Sequence, residues 1–149
     1  MVETARAGPV TSFRRDAILE AVAYAAERLL LSHDWHDAAD GVLGRLGLAA
    51  GVSRAYVIES HLDGAGRACC RQVAEWCAPG IASQMANPAL DDTPWDDIGF
   101  ARWVEVMSSG GSVSGAVADL PIGERPVLQE QAILSLATFP VSRTIAGGA

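Results

Sequence analysis

The stretch SRAYVIESHLDGAGRACCRQVAEWC, from Ser53 to Cys77, decides the fold. Apolar and polar side chains alternate from Ser53 to His61, the period of a strand that is buried on one face. Asp63-Gly64-Ala65-Gly66 follows, and such a segment favours a tight turn because glycine accepts a positive φ. The alternation then resumes from Arg67 to Cys77. The sequence therefore predicts an antiparallel β-hairpin.

Strict alternation also predicts which side chains of the hairpin share a face. In the first strand, Tyr56 and Ile58 share one face and their neighbours share the other. In the second strand, one face is predicted to carry Ala68, Cys70, Gln72, Ala74 and Trp76.

Two helices are predicted before the hairpin. The first spans Arg14 to Leu31, where apolar residues recur at intervals of three and four. Its buried face is predicted to contain Ile18, Leu19, Val22, Ala25, Ala26 and Leu29. Asp34 is a suitable N-cap for the second helix, and Gly47 and Gly51 suit its C-terminal end. The buried stripe of this second helix is predicted to be Trp35, Ala38, Ala39, Val42, Leu43 and Leu46.

The part after the hairpin begins with an irregular segment from Ile81 to Ile98, which we expect to be a functional loop or lid. Beyond it the pattern predicts a helix over Phe100–Met107 and a strand over Ser112–Val117. A further helix is predicted from Pro126 to about Leu136, with Leu128, Ala132 and Ile133 on its inner face, and then a strand over Phe139–Ile145. Strands joined by tight turns, with helices grouped around them, predict an α+β fold built on an antiparallel sheet.

Composition limits the partners and the location. The chain has 149 residues, of which 50% are hydrophobic and 19% are charged, which suits one domain with one core. The net charge of −7 argues against binding to nucleic acid or to an anionic membrane surface. Neither a transmembrane segment nor a signal peptide is recognisable. We therefore expect a cytoplasmic protein.

Motifs for catalysis or metal binding are absent from the sequence. Cys69 and Cys77 lie roughly 25 Å apart along one predicted strand, too far for a disulfide, so the thiols are expected to be reduced and buried. Neither His33 and His36 nor the acidic residues from Asp91 to Asp97 have the spacing of a metal site. No hydrolase, metalloprotease, phosphate-loop or dinucleotide motif is found, so we expect no enzyme activity.

Several segments in a fixed order resemble a GAF domain, a relative of the PAS domain. The segments are Ser53–Ile58, Glu75–Ile81, Gly99–Glu105, Leu120–Arg125, Gln131–Leu136 and Phe139–Val141. The likeness covers nearly all of Asp16 to Ile145 and is greatest to GAF modules of bacterial sensors such as histidine kinases and cyclic-di-GMP enzymes. It implies a regulatory sensory domain that binds a small molecule, forms a homodimer through the first helix, or does both, beside an output domain.

The resemblance also implies a ligand cavity enclosed by the strands and the helix after the long segment. Tyr56, Trp76, Phe100 and Trp103 would line it, and Arg102 and Arg125, together with Glu124, would supply polar contacts at its rim. Two alternatives stay open for these residues: the rings fill the core, and Arg102 forms an ordinary ion pair. Cyclic nucleotides and bilins are not expected, because the residues that bind them in GAF domains are missing, and the identity of any cofactor stays open.

This sequence departs from the family where it ends. In GAF domains a further strand and a helix follow, and that strand lies between the first strand and the one ending near Ile145. We therefore expect a flexible lead over residues 1–12 and a C-terminally truncated GAF-like domain over residues 13–149, with exposed strand edges that invite association. The alternative functions are a dimerisation scaffold without ligand and, as a minor one, a GAF-type methionine sulfoxide reductase.

Overall fold

The computed structural model describes residues 12 to 141. The helices and strands follow in the order α1 (Ser12–Leu31), α2 (Trp35–Ala50), β1 (Arg54–Leu62), β2 (Ala68–Cys77), β3 (Asp91–Pro94), α3 (Ala101–Ser108), β4 (Val113–Ala116), α4 (Arg125–Glu130) and β5 (Ser135–Thr138). The strands form two antiparallel sheets, β1-β2-β3 and β4-β5. The predicted α+β class is confirmed. The predicted lead falls almost entirely on residues 1–11, which lie outside the described residues, and Ser12 already belongs to α1.

The predicted hairpin is present, but a β-bulge changes the faces of its second strand. Val57 pairs with Ala74 and Ile58 pairs with Gln72, so β2 contributes one extra residue, Val73, at this step. An extra residue reverses the alternation. Trp76 therefore lies on the face opposite to Cys70 and Gln72, and the prediction that these residues share one face is wrong.

The two faces of β2 pack against different partners. Ala74 and Trp76 pack together with Ala39 and Leu43 of α2. The Trp76 ring lies directly over two glycines of that helix, and a Cβ placed on Gly47 would come within 2.4 Å of the ring. Gly47 is thus a buried part of α2, and only Gly51 ends the helix, in a left-handed conformation with φ 67°.

Helix α1 packs through a different face from the predicted one. Ala21 and Ala25 are its buried residues, and Ala25 contacts Ala38 and Val42 of α2. Small side chains allow the two helix backbones to approach closely. The predicted face is exposed apart from Ala25, and we call its exposed part the α1 stripe: Ile18, Leu19, Val22, Ala26 and Leu29.

The largest core lies between the two sheets and the C-terminal helices. It receives Ile58 and Cys70 from the first sheet, Val113 and Leu136 from the second, and Trp103 from α3. β1 and β5 each lie at an edge of their sheet. The two sheets thus cover one core without being joined in the described part of the chain.

The segment from Ile81 to Ile98 is more ordered than predicted. It contains a 3-10 turn, Pro88–Leu90, and the strand β3, whose residues pair with Cys69, Cys70 and Arg71 of β2. Trp95 and Ile98 are buried in the main core, and Trp95 Nε1 donates a hydrogen bond to Ser60 Oγ. These contacts anchor the segment to the sheet.

The last helix and strand are displaced from their predicted positions. α4 ends at Glu130, and Ala132 is exposed in a left-handed conformation with φ 56°. The amide of Ile133 bonds to the carbonyl of Leu128, and that of Ala132 to Gln129, the pattern of a Schellman motif. β5 then begins at Ser135 instead of Phe139, and residues 142–145 of the predicted strand lie outside the described residues.

Substituting Gly47→Ala tests the packing of Trp76 on α2. Alanine favours a helix over glycine by about 1 kcal/mol, but overpacking costs about 1–3 kcal/mol. Because the added carbon would overlap the ring, we expect a net loss of unfolding free energy in urea denaturation. Gly64→Ala, where a Cβ would meet nothing within 4 Å, is the control and should change little. A Gly47→Ala variant as stable as the control would contradict this packing.

Candidate functional site

Phe100 and Trp103, the central pair of the predicted ligand site, lie inside the main core. Each is 3% exposed, and their rings stack with centroids 4.1 Å apart and planes 9° apart. Trp95 lies beside them, at 6.2 Å from Phe100. Their packing matches the open alternative in which the rings fill the core.

Arg102 contacts a buried carboxylate. Its Nε and Nη2 donate to the two oxygens of Glu124 at 2.7 and 2.8 Å, and Trp103 Nε1 donates to the same carboxylate at 2.9 Å. The Arg102 guanidinium and the Trp103 hydrogen bond hold the pKa of Glu124 below its usual range, against the opposing effect of burial. This contact fixes α3 to the turn that precedes α4.

The other three predicted site residues lie in separate places. Tyr56 lies on the face of β1 opposite to the α2 side, and burial raises the pKa of its hydroxyl. Trp76 packs on α2, and Arg125 Nε donates to the carbonyl of Leu120 at 2.7 Å. The bulge in β2 thus separates Tyr56 from Trp76, and the six predicted residues do not come together around one space.

The structure contains a cleft of about 410 Å³ at a place that sequence reasoning missed. Three segments meet there: the start of β1, the loop after β2, and the turn between α4 and β5. The lining residues of this Arg54 cleft are Ser53, Arg54, Gly80, Ile81, Ala82, Gln84, Glu130, Gln131, Ala132 and Leu134. No sequence motif marks it, because its residues come from three distant segments.

A buried ion pair forms the base of the cleft. Arg54 Nε lies 3.2 Å from Glu75 Oε1, and the two side chains are 4% and 2% exposed. Arg54 Nη2 also donates to the carbonyl of Ala82. Glu75 accepts hydrogen bonds from Ser83 Oγ at 2.6 Å and from the amide of Gln84 at 2.9 Å. The pair therefore ties the loop after β2 to both strands of the hairpin.

The three cysteine side chains are at least partly shielded from solvent. Cys69 and Cys70 are buried and Cys77 is partly buried, and all three are free thiols, as predicted. Burial raises the pKa of each thiol. A raised pKa keeps a thiol protonated, whereas the nucleophile is the thiolate.

The histidine and acidic clusters make polar contacts with neighbouring side chains. His36 Nδ1 lies 2.6 Å from Asp34, which also caps α2 as predicted. Asp92 contacts Arg71 at 2.6 Å and His61 at 3.1 Å. Among residues 12–141 no three His, Cys, Asp or Glu side chains form a group that would hold a metal ion.

Substituting Glu124→Gln tests the contact with Arg102. Breaking a hydrogen bond to a buried charged group costs about 1.5–3 kcal/mol. Because Arg102 is partly exposed, we expect a loss at the lower end of this range, about 1.5 kcal/mol. Because the folded pKa of Glu124 lies below the unfolded value of about 4.3, this contribution is present above that pH and disappears as pH falls further.

Unfolding free energy measured from pH 7 to pH 3 checks both expectations. Wild type should lose more stability on acidification than Glu124→Gln, while Asp63 and Asp92, whose pKa values are also lowered, contribute equally to both proteins. Identical pH profiles would show that the Glu124 charge is not stabilising.

Comparison with known proteins gives one relative of this chain. Over 133 residues, 89% of the chain, it is 33% identical to the methanogenesis regulatory histidine kinase FilI of Methanothrix harundinacea (strain 6Ac). The match covers 15% of that kinase. No family model and no solved structure matches the chain. Within the described residues, no helix has both the length and the apolar character needed to cross a bilayer. The chain is thus similar, over most of its length, to a small part of a regulatory histidine kinase.

Proposed function

We propose that this chain is a non-catalytic sensory domain of a signal-transduction protein, with the GAF fold and a neighbouring output domain. The observation that carries this proposal is the similarity of 89% of the chain to one segment of a regulatory histidine kinase. A segment of that size leaves most of the kinase for other domains, including the catalytic one. A kinase is therefore the favoured output domain, ahead of a cyclic-di-GMP enzyme.

A homodimer formed through α1 is part of the proposal. Leu19, Val22, Ala26 and Leu29 are spaced by three, four and three residues, the spacing of a helix-packing seam. Leu19 is 60% exposed, although it is a large apolar residue. An exposed apolar stripe of this kind favours contact with a second helix, and a second copy supplies the same stripe.

Binding of a small-molecule ligand is the second part of the proposal. None of the residues that the sequence predicts to bind a ligand lines the Arg54 cleft, which is the space that supports binding. These predicted residues are Tyr56, Trp76, Phe100, Trp103, Arg102 and Arg125. Clefts of a few hundred Å³ that combine apolar and polar walls are typical of small-molecule sites. The packing of Phe100 and Trp103 favours the alternative, a dimerisation scaffold without ligand. Native mass spectrometry of the purified chain and thermal shift against a metabolite panel separate the two.

The non-catalytic assignment rests on the cysteines as well. A methionine sulfoxide reductase needs reactive thiolates, and burial opposes their formation here. Replacing Cys69, Cys70 and Cys77 together by serine should leave any redox activity of a preparation unchanged. A loss of activity in that variant would support the reductase instead.

Replacing the matched segment of the Methanothrix kinase by this chain tests the sensory role. We expect the chimaeric kinase to retain autophosphorylation, because a domain of the same architecture preserves the connections to its neighbours. The control is the same kinase with an unrelated α+β domain of equal length, which should lose activity or its regulation. A chimaera that is no better than this control would contradict the proposal.

Substituting Leu19→Glu tests the dimer. A charge in the centre of an apolar interface is strongly unfavourable, so sedimentation velocity should show a shift from dimer to monomer. Leu62→Glu is the matched control, since Leu62 is similarly exposed, at 70%, but lies at the end of β1. If wild type is a monomer, or if both variants dissociate alike, α1 is not the interface.

A further inference from the structure

We propose that the Arg54 cleft binds an uncharged, amide-bearing ligand of the kind that a short extended peptide presents, and that binding is transmitted to α2 through β2. The inference rests on the proposed sensory function and adds to it the chemical class of the ligand and the route of the signal.

The charges of the cleft favour an uncharged ligand. Arg54 is the buried cation of the cleft, and Glu75 balances its charge at 3.2 Å. The remaining charged residue of the lining is Glu130, at the exposed rim. Glu130 would repel a bound anion, and the charge of Arg54, which would attract it, is already balanced by Glu75. The cleft therefore does not select for negative charge. A cation would meet only one solvated carboxylate, a weak attraction.

The polar groups of the lining are suited to amides. Gln84 and Gln131 line the cleft with side-chain amides, and one hydrogen bond orients each of them. Gln84 Oε1 accepts from Asn87 Nδ2 at 2.9 Å, and the buried Gln131 donates through Nε2 to the carbonyl of Val127 at 3.0 Å. Within residues 12–141, the strands β1 and β5, which begin beside the cleft, each have one edge that pairs with no other strand. Edge strands present backbone N–H and C=O groups, which pair with an extended backbone.

The apolar groups of the lining are suited to an aliphatic side chain. Leu134 is 68% exposed, and Ile81 is exposed on the loop after β2. These two side chains come from different segments, so one ligand group placed between them would remove both from water. A peptide that carries one aliphatic residue therefore matches the apolar and the polar parts of the cleft together.

The route to the helices begins at Glu75. This residue holds the cleft loop through Ser83 and Gln84, and the next residue in β2, Trp76, points to the opposite face and packs on Gly44 and Gly47. A ligand that shifts the loop and Arg54 moves the end of β2. Because the Trp76 contact with α2 has no free space, the movement reaches α2, which packs along α1.

Titration of the full chain with N-acetyl-leucyl-alanine methylamide, followed by two-dimensional NMR, tests the proposal. We expect saturable shifts of the Gln84 and Gln131 side-chain amides with a Kd of about 1 mM or tighter. The backbone amides of Gly44 and Gly47 should shift with the same midpoint. The zwitterionic dipeptide Leu-Ala, with the same side chains but charged ends, should bind at least about tenfold more weakly, because the cleft offers its charges no partners.

Leu134→Arg should abolish the shifts, and Leu62→Arg is the matched control, because Leu62 is 70% exposed at the hairpin tip, away from the cleft. If Leu134→Arg does not fold, Ile81→Arg makes the same test from the loop. Absence of shifts in wild type, or equal binding of the charged dipeptide, would overturn the ligand class. Shifts in the cleft without shifts at Gly44 and Gly47 would overturn the route. The sensory role is tested separately by the chimaeric kinase, whose result does not depend on this ligand.

Discussion

The structure depends on β2 serving two hydrophobic clusters at once. Cys70, in the first half of β2, packs in the main core, and Ala74 and Trp76, in its second half, pack against α2. In a regular strand, Cys70, Ala74 and Trp76 would all lie on the same face, because they are separated by even numbers of residues. Such a strand could not contribute to both clusters from these positions. The bulge at Val73 resolves this conflict by reversing the alternation between the two halves.

The Arg54–Glu75 pair adds a second constraint to the same strand. Burying two charges is expensive, and attraction between them offsets that cost only when other hydrogen bonds complete both groups. Here the completing groups come largely from the loop after β2: the carbonyl of Ala82, the hydroxyl of Ser83 and the amide of Gln84. The loop therefore takes its position from the ion pair, and the ion pair needs the loop.

Features of the fold that depend on a few neighbouring residues are predictable from the sequence. Asp34 and Gly51 end α2 as predicted, because a capping carboxylate and a left-handed glycine act within one turn of the helix. The end of α4 also has a left-handed residue, but this residue is Ala132 and not a glycine. The residue type therefore did not indicate where α4 ends. The strand β3 reads Asp-Asp-Thr-Pro and has no strand-forming pattern, since its position is set by pairing with β2.

The candidate site was harder to predict than the fold for a related reason. The resemblance to GAF domains implies that Tyr56 and Trp76 line one cavity, but the bulge in β2 places them on opposite faces of the hairpin. The Arg54 cleft combines three segments that are distant in sequence, and its two most buried charged groups, Arg54 and Glu75, look like ordinary surface residues of a strand. Only the tertiary structure brings them together.

Helix α1 shows how the proposed role depends on side-chain size. Its alanine face meets α2, where small residues permit close packing, and its larger apolar residues face outward. If burial within this domain were the only requirement, the larger residues would occupy the inner face, because they remove more apolar area from water. A second helix on that side, as in the proposed dimer, would account for their outward position. In the proposed dimer, α1 then lies between the partner and α2, and α2 in turn holds Trp76, so a shift of β2 reaches the partner through two tight contacts.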